Sequence, residues 1–144
     1  MKELTINHLA VWLVVVLGQV IPALWYGLFS ESWMTYNELT MEYIEENQRV
    51  TPYIASIISS VIFAYVLAWI FKQMRVESAF SGLAIGLLMG FAFTHLPLLI
   101  QNLFSFRPYG LSWIDGGVNL IVWGLAGAIL GGWRKYRTVQ EKAG

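Results

Sequence analysis

The stretch IISSVIFAYVLAWIF, Ile57 to Phe71, has no charged side chain and no alternation of polar and apolar positions. It sits inside a longer interval, Arg49 to Lys72, in which 22 residues pass without an Asp, Glu, Lys or Arg. Three more such intervals follow the same pattern: 27 residues between Glu3 and Glu31, 29 between Glu77 and Arg107, and 18 between Asp115 and Arg134. A helix needs about 20 mostly apolar residues to cross a hydrocarbon layer roughly 30 Å thick. The chain therefore reads as an all-α, integral membrane four-helix bundle, with spans near 7–29, 52–71, 79–104 and 113–133. A soluble bundle would carry a polar stripe on each helix, and these segments carry none. Membrane β-barrel strands alternate over about 10 residues, which the continuous run AVWLVVVLG near the N-terminus does not do.

Composition agrees. Of the 144 residues, 57% are hydrophobic and only 12% charged, against roughly 25% charged in an average soluble domain. The length suits one transmembrane domain, 1–144. The first apolar run is too long for a signal-peptide core and ends without a small-x-small cleavage site. Cysteine is absent and net charge is zero, which removes disulfides, cysteine metal sites and any case for nucleic acid. Basic residues accumulate on the cytoplasmic side of membrane proteins. Lys2, Lys72, Arg75, Arg134, Lys135, Arg137 and Lys142 fall on the side shared by the termini, and only Arg49 and Arg107 on the other. Both termini are thus expected in the cytoplasm, as a multi-pass protein of a bacterial cytoplasmic membrane.

The segment PALWYGLFSESW, Pro22 to Trp33, marks where the first span leaves the lipid. Trp25, Tyr26 and Trp33, with Trp113 at the start of the fourth span, have apolar rings and a polar edge that suits the membrane interface. Trp25, Tyr26, Phe29 and Trp33 could equally pack as a plug over a cavity. Beyond them, Thr35 and Glu38 have capping-box spacing. Glu38, Glu42, Glu45 and Arg49 then recur at helical intervals, which predicts an external amphipathic helix over about 35–50.

PALWYGLFS from Pro22 and PLLIQNLFS from Pro97 share the pattern P-x-L-x-x-x-L-F-S. Each closes an outward-running helix and precedes one that returns to a basic end, which points to two tandem hairpins related by an internal repeat. Small residues recur at four-residue spacing: Ser56, Ser60, Ala64 and Ala68 on the second span; Gly82, Gly86, Gly90 and Thr94 on the third; and Gly116, Gly124, Ala128 and Gly132 share such a ridge on the fourth, widened by Gly117, Gly127 and Gly131. Such ridges let helices approach closely in lipid, where hydrophobicity alone does not pair them. They would pack helices within one chain or between the subunits of a homo-oligomer.

Polar groups inside a span are costly and are functional candidates. Gln19, Ser59, His95 and Asn119 lie at one depth, roughly 9–15 Å inside the outer boundary at 1.5 Å per residue. Asn102 and Asp115 lie above them. A polar pocket opening outward would use all six, and cross-helix hydrogen bonding would use them equally well. Asp115, before Gly116 and Gly117, also suits a helix cap. No metal set, cofactor motif, phosphate loop or nucleophile–base pair is present, so an enzyme is not expected.

Finally, GQVIPALWYGLFSESW, GLAIGLLMGFAF, NLFSFRPYGLSWIDGGVNL and GAILGGW together resemble the domain-of-unknown-function 1761 family. The likeness spans most of the chain outside the acidic external segment. It departs at Val118-Asn119, where the family pattern carries a Tyr-His pair. The resemblance implies a small four-helix bacterial membrane protein and no reaction. Two functions are expected as alternatives: an oligomeric pathway for a small solute or ion, or a non-transporting assembly subunit that binds other transmembrane helices.

Overall fold

The computed structural model describes residues 2–138. Four spans, His8–Leu28, Thr51–Gln73, Ala79–Phe104 and Tyr109–Gly132, are long and apolar enough to cross a membrane. The first is helix α1 (His8–Leu28), entered at Asn7, whose side-chain oxygen accepts the Leu9 N–H. Two short helices follow, α2 (Ser30–Asn37) and α3 (Met41–Asn47). The second span is α4 (Thr51–Gln73), with Pro52 in its first turn, where a missing N–H costs nothing. The third is built of α5 (Ala79–Gly90), a π-helical turn (Phe91–His95) and α6 (Leu96–Phe104). The fourth is α7 (Tyr109–Gly132).

Two boundaries differ from the sequence reading. The fourth helix starts at Tyr109 rather than Trp113. Phe106 takes a left-handed backbone (φ 56°) and Pro108 follows, so the chain reverses at once. The external segment is two helices, not one. Glu38 is left-handed (φ 57°), and the Leu39 N–H returns to the Met34 carbonyl, closing α2. Thr35 bonds backward to the Glu31 carbonyl instead of capping, and Thr40 caps α3 by accepting from the Tyr43 N–H.

A feature the apolar pattern does not show lies at the opposite end. Strand β1 (Lys2–Thr5) pairs antiparallel with β2 (Lys135–Thr138), Lys2 opposite Thr138 and Thr5 opposite Lys135. A lone two-stranded ribbon is marginal in water, and here it is tied to the helices. Asn7 donates to the Trp133 carbonyl at 3.1 Å. Arg134 donates to Leu130 O at 3.0 Å and Phe71 O at 2.9 Å, serving the C-terminal ends of α7 and α4 together. Burial lowers the Arg134 pKa, opposed by nearby Glu77. The Tyr136 phenol is shifted upward by the hydrogen bond it donates to Glu77. We call this the ribbon end, and the end bearing α2, α3 and the α6–α7 link the loop end.

Helix α7 touches α1, α4, α5, the π turn and α6. Its closest partner is α5. A Cβ built on Gly82 would overlap the Gly127 carbonyl, one on Gly127 would overlap the Gly82 carbonyl, and one on Gly86 would overlap the Trp123 carbonyl. Gly131 lies against Ser78 O, and Gly90 against the Trp123 ring. The glycine ridges therefore meet each other inside one chain. On the other side, α1 packs on α4. Val11 and Val14 of α1, Ala64, Leu67 and Phe71 of α4, and Ala126 and Leu130 of α7 form an apolar core in the ribbon-end half. Ile58, Ile62, Val66 and Trp69 on α4 face outward, as lipid contact allows.

Replacing Gly86 with Leu is expected to cost at least about 1–3 kcal/mol by forcing α5 off the α7 backbone. Leu88→Ala, at a position 68% exposed, should change little. Thermal unfolding in detergent compares the two, and equal tolerance would show that the helices do not meet there.

Candidate functional site

Above the apolar core, in the loop-end half, the four spans separate around a cleft of about 370 Å³. Every span contributes. Helix α1 supplies Gly18 and Pro22, α4 supplies Ser56, Ser59, Ser60 and Phe63, the π turn supplies Thr94, and α7 supplies Asn119, Val122 and Trp123. No charged side chain lines it. Phe63 and Trp123 meet edge to face, ring centres 4.8 Å apart, and form one apolar wall.

Gln19 is committed to a clamp between α1 and α4 that engages two of the cleft's serines. Its amide nitrogen donates to Ser60 Oγ at 2.6 Å, and its oxygen accepts from Ser56 Oγ at 3.0 Å. Each polar group thereby satisfies another that lipid could not. Ser59 and Thr94 stand outside this clamp. Asn119 uses its amide nitrogen within α7, donating to Asp115 O at 2.8 Å. Its side-chain oxygen is free of that bond.

The cleft is lined where α1 carries Pro22 and where the third span makes its π turn. Pro22, inside α1, has no N–H to offer the Gly18 carbonyl four residues back. In the third span, Pro97 would press on the Phe93 carbonyl. The π turn widens the helix just before it, with the Leu96 N–H reaching back to Phe91 O.

His95, the last residue of the π turn, does not line the cleft. His95 is 2% exposed and lies against α7 at Gly116. It stacks on Phe91 (5.6 Å, 16°) and tilts against Trp113 (5.0 Å). Its Nδ1 is buried without a hydrogen-bond partner. Of the four residues read as one polar layer, Ser59 and Asn119 line the cleft, Gln19 braces its edge and His95 packs elsewhere.

The remaining polar residues join elements at the loop end. Asp115 sits in the second turn of α7, too far inside to cap it, and accepts from the Tyr26 hydroxyl at 2.7 Å. Trp25 donates to Ile114 O at 2.9 Å and lies over Gly117. Trp33 packs edge-on to Tyr26. Asn102 donates to the buried Ser112 hydroxyl at 3.1 Å. The polar edges of Trp25 and Tyr26 thus bind α7 rather than pointing to the surface. Gly124 packs under Leu83 and Leu87 of α5. Phe63, Thr94 and Trp123 were not singled out by sequence as site residues. Only their spacing to Ser59 and Asn119, four residues along the same helices, could have marked Phe63 and Trp123. Among the described residues, no three His, Cys, Asp or Glu side chains gather as a cation-ligand set.

Gly116→Ala would drive a methyl group into His95 Nδ1. It should lower stability by about 1–3 kcal/mol, as overpacking does, and His95→Ala in the same chain should recover part of the loss. A double-mutant comparison of thermal midpoints checks the contact.

The family described as "Protein of unknown function (DUF1761)" matches residues 9–131. No curated protein and no solved structure matches the chain.

Proposed function

Because the chain belongs to the DUF1761 family, whose description assigns no reaction, we propose its function from the cleft: it binds a small uncharged polar solute there and passes it through the membrane. The observation that carries this reading is a cleft that all four spans line, within membrane depth, with hydroxyls, an amide and no charge. Such a lining replaces the water of a neutral solute at modest cost, whereas a bare ion would lack a counter-charge. The lining also offers no nucleophile beside a base, which supports a binding role over catalysis.

The setting proposed is a bacterial cytoplasmic membrane with the ribbon end in the cytoplasm. The support is the basic excess there, Lys2, Lys72, Arg75, Lys135 and Arg137, against an acidic loop end with Glu31, Glu38, Glu42, Glu45 and Glu46. A homo-oligomer would use other surfaces than the glycine ridges, which are engaged within the chain; the outward faces of α1 and α4 are available.

Single cysteines at Glu42 and Lys135 should label from opposite sides of intact cells with a membrane-impermeant thiol reagent. Labelling of both from outside would overturn the orientation. In proteoliposomes, glycerol influx read by vesicle swelling should exceed that of protein-free vesicles. It should fall about tenfold in Asn119→Leu with the thermal midpoint unchanged. No flux above background for small polyols would overturn the solute pathway and favour the alternative, a non-transporting subunit that binds other helices.

A further inference from the structure

The ribbon end holds a cavity of its own, which shares no residue with the cleft. It measures about 570 Å³ and is enclosed by β1, the C-terminal end of α4, the α4–α5 link and Tyr136 of β2. Lys2, Lys72 and Arg75 line it, together with the carboxylates of Glu3 and Glu77. We propose that this cavity seats the phosphate headgroup of an anionic phospholipid, held by Lys2 and Arg75. The site is independent of the cleft and of the cleft's ligand.

Charge selects the chemistry. Both carboxylates are engaged by the protein itself. Glu3 lies 3.9 Å from Lys72 Nζ. Glu77 accepts from the Tyr136 hydroxyl and lies near the Arg134 guanidinium. Among the described residues, no carboxylate pairs with Lys2 or Arg75. Both of these cations line the cavity without a counter-charge. The ammonium of a zwitterionic headgroup would meet carboxylates that are already engaged, whereas a phosphate oxygen meets donors of opposite charge. The volume lies inside the roughly 300–1,000 Å³ range of small-molecule sites.

The end of α4 places the arginine. The Arg75 N–H bonds to the Lys72 carbonyl at 3.2 Å, and the Val76 N–H to the Phe71 carbonyl at 3.0 Å, which together close the helix in a Schellman turn. Val76 is buried and anchors that turn. Arg75 is its left-handed residue (φ 53°), a position glycine occupies at least cost. The backbone would therefore accept glycine there, and the guanidinium can be removed without disturbing the helix end. On the opposite wall, strand pairing sets Lys2 across from Thr138.

Height selects the source of the phosphate. Lys72 lies in the last turn of α4, and Gln73, which also lines the cavity, ends the helix. The cavity thus sits where the second span leaves the hydrocarbon, at the level of lipid headgroups. Trp69, 54% exposed, lies one turn earlier on the same face as Gln73, about 6 Å further in. A phospholipid beside Trp69 is already held with its phosphate at the height of the cavity. Its effective concentration there far exceeds that of a dissolved phosphate. Basic residues at the edge of a span attract anionic lipids in this way.

The test titrates the full chain, in detergent micelles, with dioleoylphosphatidylglycerol, dioleoylphosphatidylethanolamine, dioleoylphosphatidylcholine and sn-glycerol 3-phosphate, and reads retention by native mass spectrometry. Phosphatidylglycerol should be retained at least about tenfold more tightly than either zwitterionic lipid. Arg75→Gly should weaken that retention about three- to tenfold with the thermal midpoint unchanged. Lys2→Gln should act likewise, and the two together should remove the preference for phosphatidylglycerol. Lys135→Gln removes a charge at the same end but outside the cavity, and Asn119→Leu alters the cleft; both should leave retention as it was. Equal retention of the three lipids, an undiminished preference in the double variant, or an equal loss in Lys135→Gln would overturn the site. Retention of sn-glycerol 3-phosphate as tight as that of phosphatidylglycerol would overturn the lipid as its ligand.

Discussion

The contact of α5 with α7 is made by backbone, and the remaining arrangement follows from it. Gly82 and Gly86 meet Gly127 and the Trp123 carbonyl so closely that neither side has space for a methyl group. In lipid the apolar surroundings offer no reward for burying more apolar surface, so dispersion between closely fitted surfaces must hold helices together. Glycine maximises that fit by bringing the main chains themselves into contact. With one side of α7 set against α5, its other side is left for α1 and α4.

The two halves of the bundle then diverge in character. Toward the ribbon end, small and medium apolar residues from α1, α4 and α7 close into a core, and Arg134 ties two helix ends to one guanidinium. Toward the loop end, Gly18, Pro22 and three serines replace that apolar filling, and the helices stand apart around the cleft. The proline-bearing α1 and the π turn lie on this open side. Non-ladder backbone is tolerated in a membrane only where protein or a polar cavity covers it, and here the broken ladder and the cavity coincide.

Most polar side chains in the spans spend themselves on holding helices together. Gln19 clamps α1 to α4, Tyr26 and Trp25 fasten α1 to α7, and Asn102 reaches Ser112. Ser59 and Thr94, outside those bonds, line the cleft with Asn119. The distinction between structural and available polar groups is one of direction around each helix, and depth alone does not make it. His95 illustrates the point: it shares a depth with Gln19 and Asn119 but lies on the far side of the π turn, against Gly116.

The sequence by itself determined the solvent, the number of spans and the family. Charge-free intervals of membrane length and the spread of small motifs from the first span to the last are properties of composition and order, legible without coordinates. It also ordered the polar residues along each helix, because helical rise converts residue number to an expected height. Azimuth was decided only by tertiary structure. Thr94 lines the cleft while its neighbour His95 lies against Gly116, a division between adjacent residues that depth does not make. Asp115 lost its expected capping role because α7 began at Tyr109, and it became the acceptor for Tyr26 of a distant helix. Trp25 has the composition of an interfacial anchor, yet its N–H finds the Ile114 carbonyl. The terminal ribbon joins segments more than a hundred residues apart, through strands too short to show a period. Long-range partners are set by which faces the glycine contact leaves free, and that contact exists only once the chain has folded.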